Sequence, residues 1–129
     1  MNYIFLDNGF EEIEAITTID LLRRANVALT TVSVTGNDVV LGAHAIPIKA
    51  DKLFADVDYT DAEMLILPGG ATKLIEHKPL CELLQKHNQQ EKLIAAICAA
   101  PAVLGQLGIL QNKQDAEENV YDTYMRTWE

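Results

Sequence analysis

Apolar and polar residues fall in blocks along the chain, and the block lengths predict its elements. Asn2 to Leu6 (NYIFL) is a short apolar run followed by Asp-Asn-Gly, which predicts a buried strand leaving a sheet through a turn. Glu11 to Ala25 (EEIEAITTIDLLRRA) has helical spacing. Ile13, Ile16, Thr17, Asp20, Leu21 and Arg24 share one stripe, and Ile19 and Leu22 widen it. Acids lie in the first turn and Arg23 and Arg24 in the last, as the helix dipole favours. Val27 to Gly36 (VALTTVSVTG) is rich in β-branched residues and predicts a second strand. Asn37 to Lys49 has weaker extended signals, read as a hairpin or an edge pair. Ala62 to Gly70 (AEMLILPGG) predicts a buried strand ending in a Pro-Gly-Gly turn. Pro79 fits the first turn of a helix carrying Leu80, Leu83 and Leu84. Lys92 to Cys98 (KLIAAIC) predicts another buried strand, and Ala100 to Gly108 a short helix.

Strand and helix patterns alternate, and the central strands are apolar on both faces. That combination predicts an α/β fold, doubly wound, with a mostly parallel sheet between helices. Ligands of such sheets sit beyond the carboxyl ends of the strands. Three turns gather there: DNGFEEIE, LPGG and ICAAP.

Composition narrows the function classes. A chain of 129 residues, 49% hydrophobic and 22% charged, is expected to form one domain with a real core. Its net charge of -9 argues against nucleic acid or an anionic membrane as a main partner. The apolar runs fall far short of the ~20 residues of a membrane span. No secretory signal is visible, and Cys81 and Cys98 do not make a disulfide framework, so a cytoplasmic location is expected.

The candidate chemistry centres on Cys98. It follows a buried strand and precedes a helix, with small residues Ala99 and Ala100 beside it. A tight strand-to-helix turn exposes its apex side chain, and a helix N-terminus favours a thiolate, so a lowered thiol pKa is expected. Cysteine is also a common core filler, and the local sequence leaves both readings open. Glu14 lies in the first helical turns beside the DNG loop. Glu11 and Glu12 read as charged surface. Gly69 and Gly70 make a turn, or present bare N–H groups to a developing oxyanion.

Taken together, GFEEIEA at 9–15, LPGG at 67–70 and AAICAAPAVLG at 95–105 resemble the DJ-1/ThiJ/PfpI superfamily, in its DJ-1-like branch. The resemblance implies a flavodoxin-like fold and a homodimer. It implies that Cys98 is the reactive cysteine and that Glu14, when protonated, hydrogen-bonds its sulfur. Gly70 and Ala99 align with the backbone donors beside that sulfur. It further implies glyoxalase or deglycase chemistry on small reactive carbonyls or glycated side chains, redox sensing, or chaperone activity. No cofactor is implied.

The motif resemblance runs to about residue 113. The tail at 114–129 is acidic and aromatic, and Tyr121, Tyr124, Met125 and Trp128 have the spacing of a terminal helix. The resemblance leads one to expect a histidine, or another polar residue, after the cysteine. His44, His77 and His87 all precede Cys98. His77 and His87 read as solvated, and His44 has no assignable role. Cys81 sits among leucines and reads as core. The cysteines and histidines lack zinc-ligand spacing, so no metal is expected. Asp20 and Arg24 are candidates for an ion pair between subunits. An inactive truncated domain is the remaining reading.

Overall fold

The computed structural model describes residues 1–70 and 72–111. The 114–129 tail and its expected helix lie outside the described residues. The elements run β1 (Asn2–Leu6), α1 (Glu12–Arg24), β2 (Leu29–Ser33), β3 (Val39–Leu41), β4 (Pro47–Lys49), β5 (Lys52–Leu53), β6 (Met64–Leu67), α2 (Lys78–Gln89), β7 (Leu93–Ala96) and α3 (Pro101–Gln106).

β1 occupies the middle of a five-stranded sheet of order β5-β2-β1-β6-β7. Its pairings with β2 and β6 are parallel, as are β2 with β5 and β6 with β7. Every residue of β1 is buried, because both faces of a central parallel strand are covered. Side chains alternate across it. Tyr3 and Phe5 join the larger core with Leu65, Leu67, Leu80, Leu84 and Val103, under α2 and α3. Ile4 packs on the opposite face with Leu29 and Ile66, beneath Ile19 and Leu22 of α1. Helices thus cover both faces of the sheet. β3 and β4 form a separate antiparallel hairpin, as the weak extended signals allowed.

Phe5 is fully buried and lies 6.0 Å from Phe54 and 5.9 Å from Tyr59, ring centre to ring centre. Phe5→Ala is expected to cost about 3–5 kcal/mol through lost burial and a residual cavity. Urea unfolding of the two proteins checks this.

Four sequence expectations are revised. First, α1 does not bury its predicted stripe. Ile13 is 75% exposed and Leu21 59%, whereas Glu12 and Ala15 are buried and Ile19 and Leu22 half-buried. The helix turns its 12, 15, 19, 22 row to the sheet. Second, Asp20 and Arg24 pair with each other, at 2.9 Å on the exposed face of α1, since four residues is one helical turn. Third, β7 is not doubly buried. It is an edge strand among the described residues, and Leu93 is exposed. Fourth, neither His77 nor His87 is merely solvated. His77 caps α2, its Nδ1 accepting from Leu80 N–H at 3.1 Å. His87 is buried, its Nε2 lying 3.2 Å from Glu63 O and 3.0 Å from Leu93 O.

Candidate active site

Three loops meet at the carboxyl edge of the sheet, and backbone hydrogen bonds lock them together. The β1–α1 loop pairs with the loop after β6 through a Phe10–Gly70 bridge. Glu11 N–H donates to Gly69 O at 3.0 Å. The turn after β7 is tied to β6, with Ile97 N–H donating to Leu67 O at 3.1 Å. The β3–β4 hairpin joins from the side. Gly9 N–H donates to Leu41 O at 2.8 Å, and Ala43 N–H to Phe10 O at 2.8 Å.

Cys98 sits at the apex of the turn after β7, and it is exposed. Its φ is +58°, in the left-handed region that non-glycine residues rarely adopt. Such a conformation costs about 1–3 kcal/mol and persists only where the surroundings impose it. Here they do, because Ala100 N–H closes the turn onto Ile97 O at 3.1 Å and Pro101 then starts α3.

Glu14 comes to Cys98 from α1. Its carboxyl stands close enough to push the thiol up, while Ala99 N–H acts on the sulfur in the opposite direction. Glu14 Oε1 is buried with no hydrogen-bond partner. Gly69 makes this approach possible. A Cβ there would overlap Glu14 Oε1 and lie 2.9 Å from Cys98 Cβ. Gly70 is placed one step away, at φ +104°, where a Cβ would strike Glu11 N and Gly9 O at 2.5 Å each. The sequence therefore located Cys98, Glu14 and Ala99 in one place. The glycine packed against the pair is Gly69, with Gly70 shaping the adjoining bridge.

The thiol is pushed up from its ordinary value, not down. Desolvation leads, followed by the hydrogen bond and the charge of Glu14, while Ala99 N–H opposes and Glu11 adds a little. The expected helix-dipole effect is outweighed because α3 has only six residues and a carboxylate stands beside the sulfur. A proton placed on Glu14 reverses this contact, since the carboxyl O–H then donates to a thiolate. Cys81 is different: it is buried, its thiol is raised chiefly by burial, and Sγ donates to Ile75 O at 3.4 Å.

A second polar cluster lies alongside. Glu12 is 3% exposed and accepts from His44 N–H at 2.5 Å, while Oε2 sits 2.7 Å from His44 Nδ1. Burial alone would raise the Glu12 carboxyl, but the His44 backbone N–H and ring outweigh it, and the net shift is downward. His44 is shifted upward by the Glu12 hydrogen bond, then by the charges of Glu12 and Glu11. Sequence reasoning placed Glu12 on the surface and gave His44 no role. The missed signal is Gly42, whose bare Cα leaves room for the Glu12 carboxyl.

The sign of the pH effect follows. A raised His44 contributes stability below its unfolded value of about 6.5, and loses it as pH rises through the folded value. A lowered Glu12 contributes above its unfolded value of about 4.3, and loses it as pH falls through the folded value. The stability gap between wild type and His44→Ala is therefore expected to be largest in mildly acidic solution and to shrink toward about pH 9. Melting temperatures of both proteins across that range check it.

The comparisons with known proteins agree with this geometry. The DJ-1/PfpI family model matches residues 2–127, past the point where the motifs end. The chain belongs to the DJ-1/PfpI family. It is 36% identical over 111 residues to protein DJ-1 homolog B of Arabidopsis thaliana, covering 83% of this chain and 25% of that protein. It is 34% identical over 113 residues to protein dj-1beta of Drosophila melanogaster, covering 85% of this chain and 60% of that one. Among solved structures, oxidized Toxoplasma gondii DJ-1 superposes with a TM-score of 0.83 at 37% identity, covering 88% of this chain and 64% of that one. The chain thus spans a quarter to two thirds of the length of these relatives. The family includes cysteine-dependent enzymes. The flavodoxin-like α/β fold holds. Among the described residues, no helix is long and apolar enough to cross a membrane.

Proposed function

We propose that this chain acts on α-oxoaldehydes or their adducts through a Cys98 thiolate, with Glu14 shuttling the proton. The observation that carries this reading is the buried, unpartnered Glu14 Oε1 at an exposed, conformationally strained thiol. In the starting state the pair holds one proton, on Glu14. The sulfur adds to the aldehyde carbon, an S–C bond forms, and the carbonyl electron pair moves to oxygen. Glu14 gives that oxygen its proton, yielding a hemithioacetal. Glu14 then takes the proton from the former aldehyde carbon and returns one to the neighbouring carbon. The hydroxyl proton on the first carbon's oxygen passes to the second carbon's oxygen, so the first carbon rises to the thioester level as the second falls to an alcohol. Water adds to the thioester carbon, the C–S bond breaks to release a 2-hydroxy acid and the Cys98 thiolate, and the proton from water returns to Glu14. Ala99 N–H stabilises charge on sulfur, and we assign Gly70 the role of a second backbone donor to developing charge. No external oxidant, reductant, metal or cofactor enters these steps.

Incubation with methylglyoxal tests the proposal. Catalytic formation of lactate supports it. Absence of product, with Cys98 unmodified, counts against it.

A second reading has its own support. The thiol is exposed, and one close structural neighbour was solved as an oxidized protein. Peroxide would convert the Cys98 thiolate to sulfenate and then sulfinate, two equivalents per thiol, and the chain would act as a redox-sensing chaperone. Oxidation that alters client binding without carbonyl turnover would select this reading. In either case we infer a homodimer in the cytoplasm. The exposed Ile13, Ile16 and Leu21 of α1 offer an apolar face for self-contact.

A further inference from the structure

Beside the Cys98–Glu14 pair, side chains from two separate elements converge on one point. Glu12 Oε2 lies 2.7 Å from His44 Nδ1, and Glu11 Oε2 lies 3.8 Å from the same nitrogen. One ligand atom from each of the three residues lies within 4.8 Å of the others. We propose that Glu11, Glu12 and His44 form a binding site for a first-row divalent cation of the zinc class.

The spacing suits such an ion. Ligand bonds of about 2.0–2.2 Å place neighbouring ligand atoms about 3.0–3.5 Å apart. The Glu11 oxygen needs to close slightly and the Glu12 oxygen to open by less than about 1 Å, both within the reach of side-chain rotation. The ligands are also held from behind. Glu12 Oε1 accepts from His44 N–H at 2.5 Å, and Glu11 Oε1 from Ile13 N–H at 3.4 Å. Each carboxylate therefore turns Oε2 toward the ring, Glu12 Oε2 in hydrogen-bond contact with Nδ1, while its other oxygen is held by backbone, the arrangement that orients metal ligands.

The seat is built into the fold. Glu12 is buried, and its carboxyl lies where a Cβ on Gly42 would overlap it. A buried carboxylate gains from a cation that offsets its desolvation. Two carboxylates and a neutral imidazole balance a doubly charged ion. The imidazole donor favours zinc, cobalt or nickel over magnesium or calcium. His44 is two-thirds exposed at its side chain, 67%, so the outer face is open to water ligands. Three protein ligands with an open position match the pattern of zinc sites that bind water or substrate. On loading, the ion takes the Nδ1 lone pair, and the proton between Nδ1 and Glu12 passes to solvent. The set combines residues 11, 12 and 44, and neither the cysteines nor histidine spacing reveals it.

The test uses tag-free chain carrying Cys98→Ser, so that the exposed thiol cannot supply a ligand and the result is independent of the proposed catalysis. Zinc binding is followed by calorimetry and cobalt binding by its visible absorption. One ion per chain is expected, with nitrogen- and oxygen-type cobalt bands. His44→Ala and Glu12→Gln, each checked for native circular dichroism, are expected to weaken binding by about tenfold or more. Because His44 is exposed, its variant keeps the test valid if Glu12→Gln fails to fold. No binding by the parent chain, or binding unchanged in His44→Ala, would overturn the proposal.

Discussion

Cys98→Ser is expected to remove methylglyoxal turnover, by about a thousandfold or more, while leaving the fold intact. A serine hydroxyl has almost no anion at neutral pH, and the site offers no histidine beside residue 98 to activate it. Cys81 cannot substitute, because it is buried and hydrogen-bonded to the carbonyls of Leu74 and Ile75. The substitution keeps the turn, since the strain at φ +58° resides in the backbone and Ala100 N–H still closes it. Stability should change by no more than about 0.5 kcal/mol, as for other exposed positions. Initial rates of lactate formation and urea unfolding measure the two halves of this expectation. Residual turnover near the wild-type rate would place the chemistry elsewhere.

Gly69→Ala should act on the same site without touching either reacting group. Its Cβ would overlap Glu14 Oε1, lie 3.1 Å from Glu14 Cδ and stand 2.9 Å from Cys98 Cβ. The Cys98 Cβ is fixed by its strained turn, so Glu14 must give way. A displacement of about 1 Å in a catalytic group costs on the order of a hundredfold in rate. The kcat/KM of Gly69→Ala is expected to fall by about that factor, with a smaller loss of stability. Activity equal to wild type would show that the contact between Gly69 and Glu14 does not position the carboxyl.

The sheet was readable from sequence because apolar runs of strand length were bounded by turn residues. NYIFL and MLIL are buried on both faces by neighbours and helices, and that environment selects such runs. The facing of α1 was not readable in the same way. Its leucines and isoleucines surround much of the helix, so periodicity alone offered more than one buried row. The row chosen by the fold includes Glu12, which is buried only because the distant His44 and Gly42 accommodate it. A partner 32 residues away leaves no local trace. β7 misled for a related reason. Its composition matches a central strand, but position in the sheet is set by topology.

At the site, the three motifs place Cys98, Glu14 and the glycine turn side by side. The direction of the Cys98 shift was not legible. A helix N-terminus suggested a lowered thiol, whereas desolvation of the sulfur, and then the neighbouring Glu14, push it up. Catalysis through a thiolate therefore depends on where the shared proton resides.

The most direct measurement is the alkylation rate of Cys98 against pH, read by peptide mass, in wild type and Glu14→Ala, with Cys81 as internal control. The proposed mechanism places the shared proton on Glu14, so wild-type Cys98 should react at lower pH than its raised thiol would otherwise allow, and far faster than buried Cys81. Glu14→Ala should then slow Cys98 in mildly acidic solution, because the donor that holds the thiolate is gone. A faster reaction in Glu14→Ala would contradict the central claim, since it would show Glu14 acting as a carboxylate that repels the thiolate.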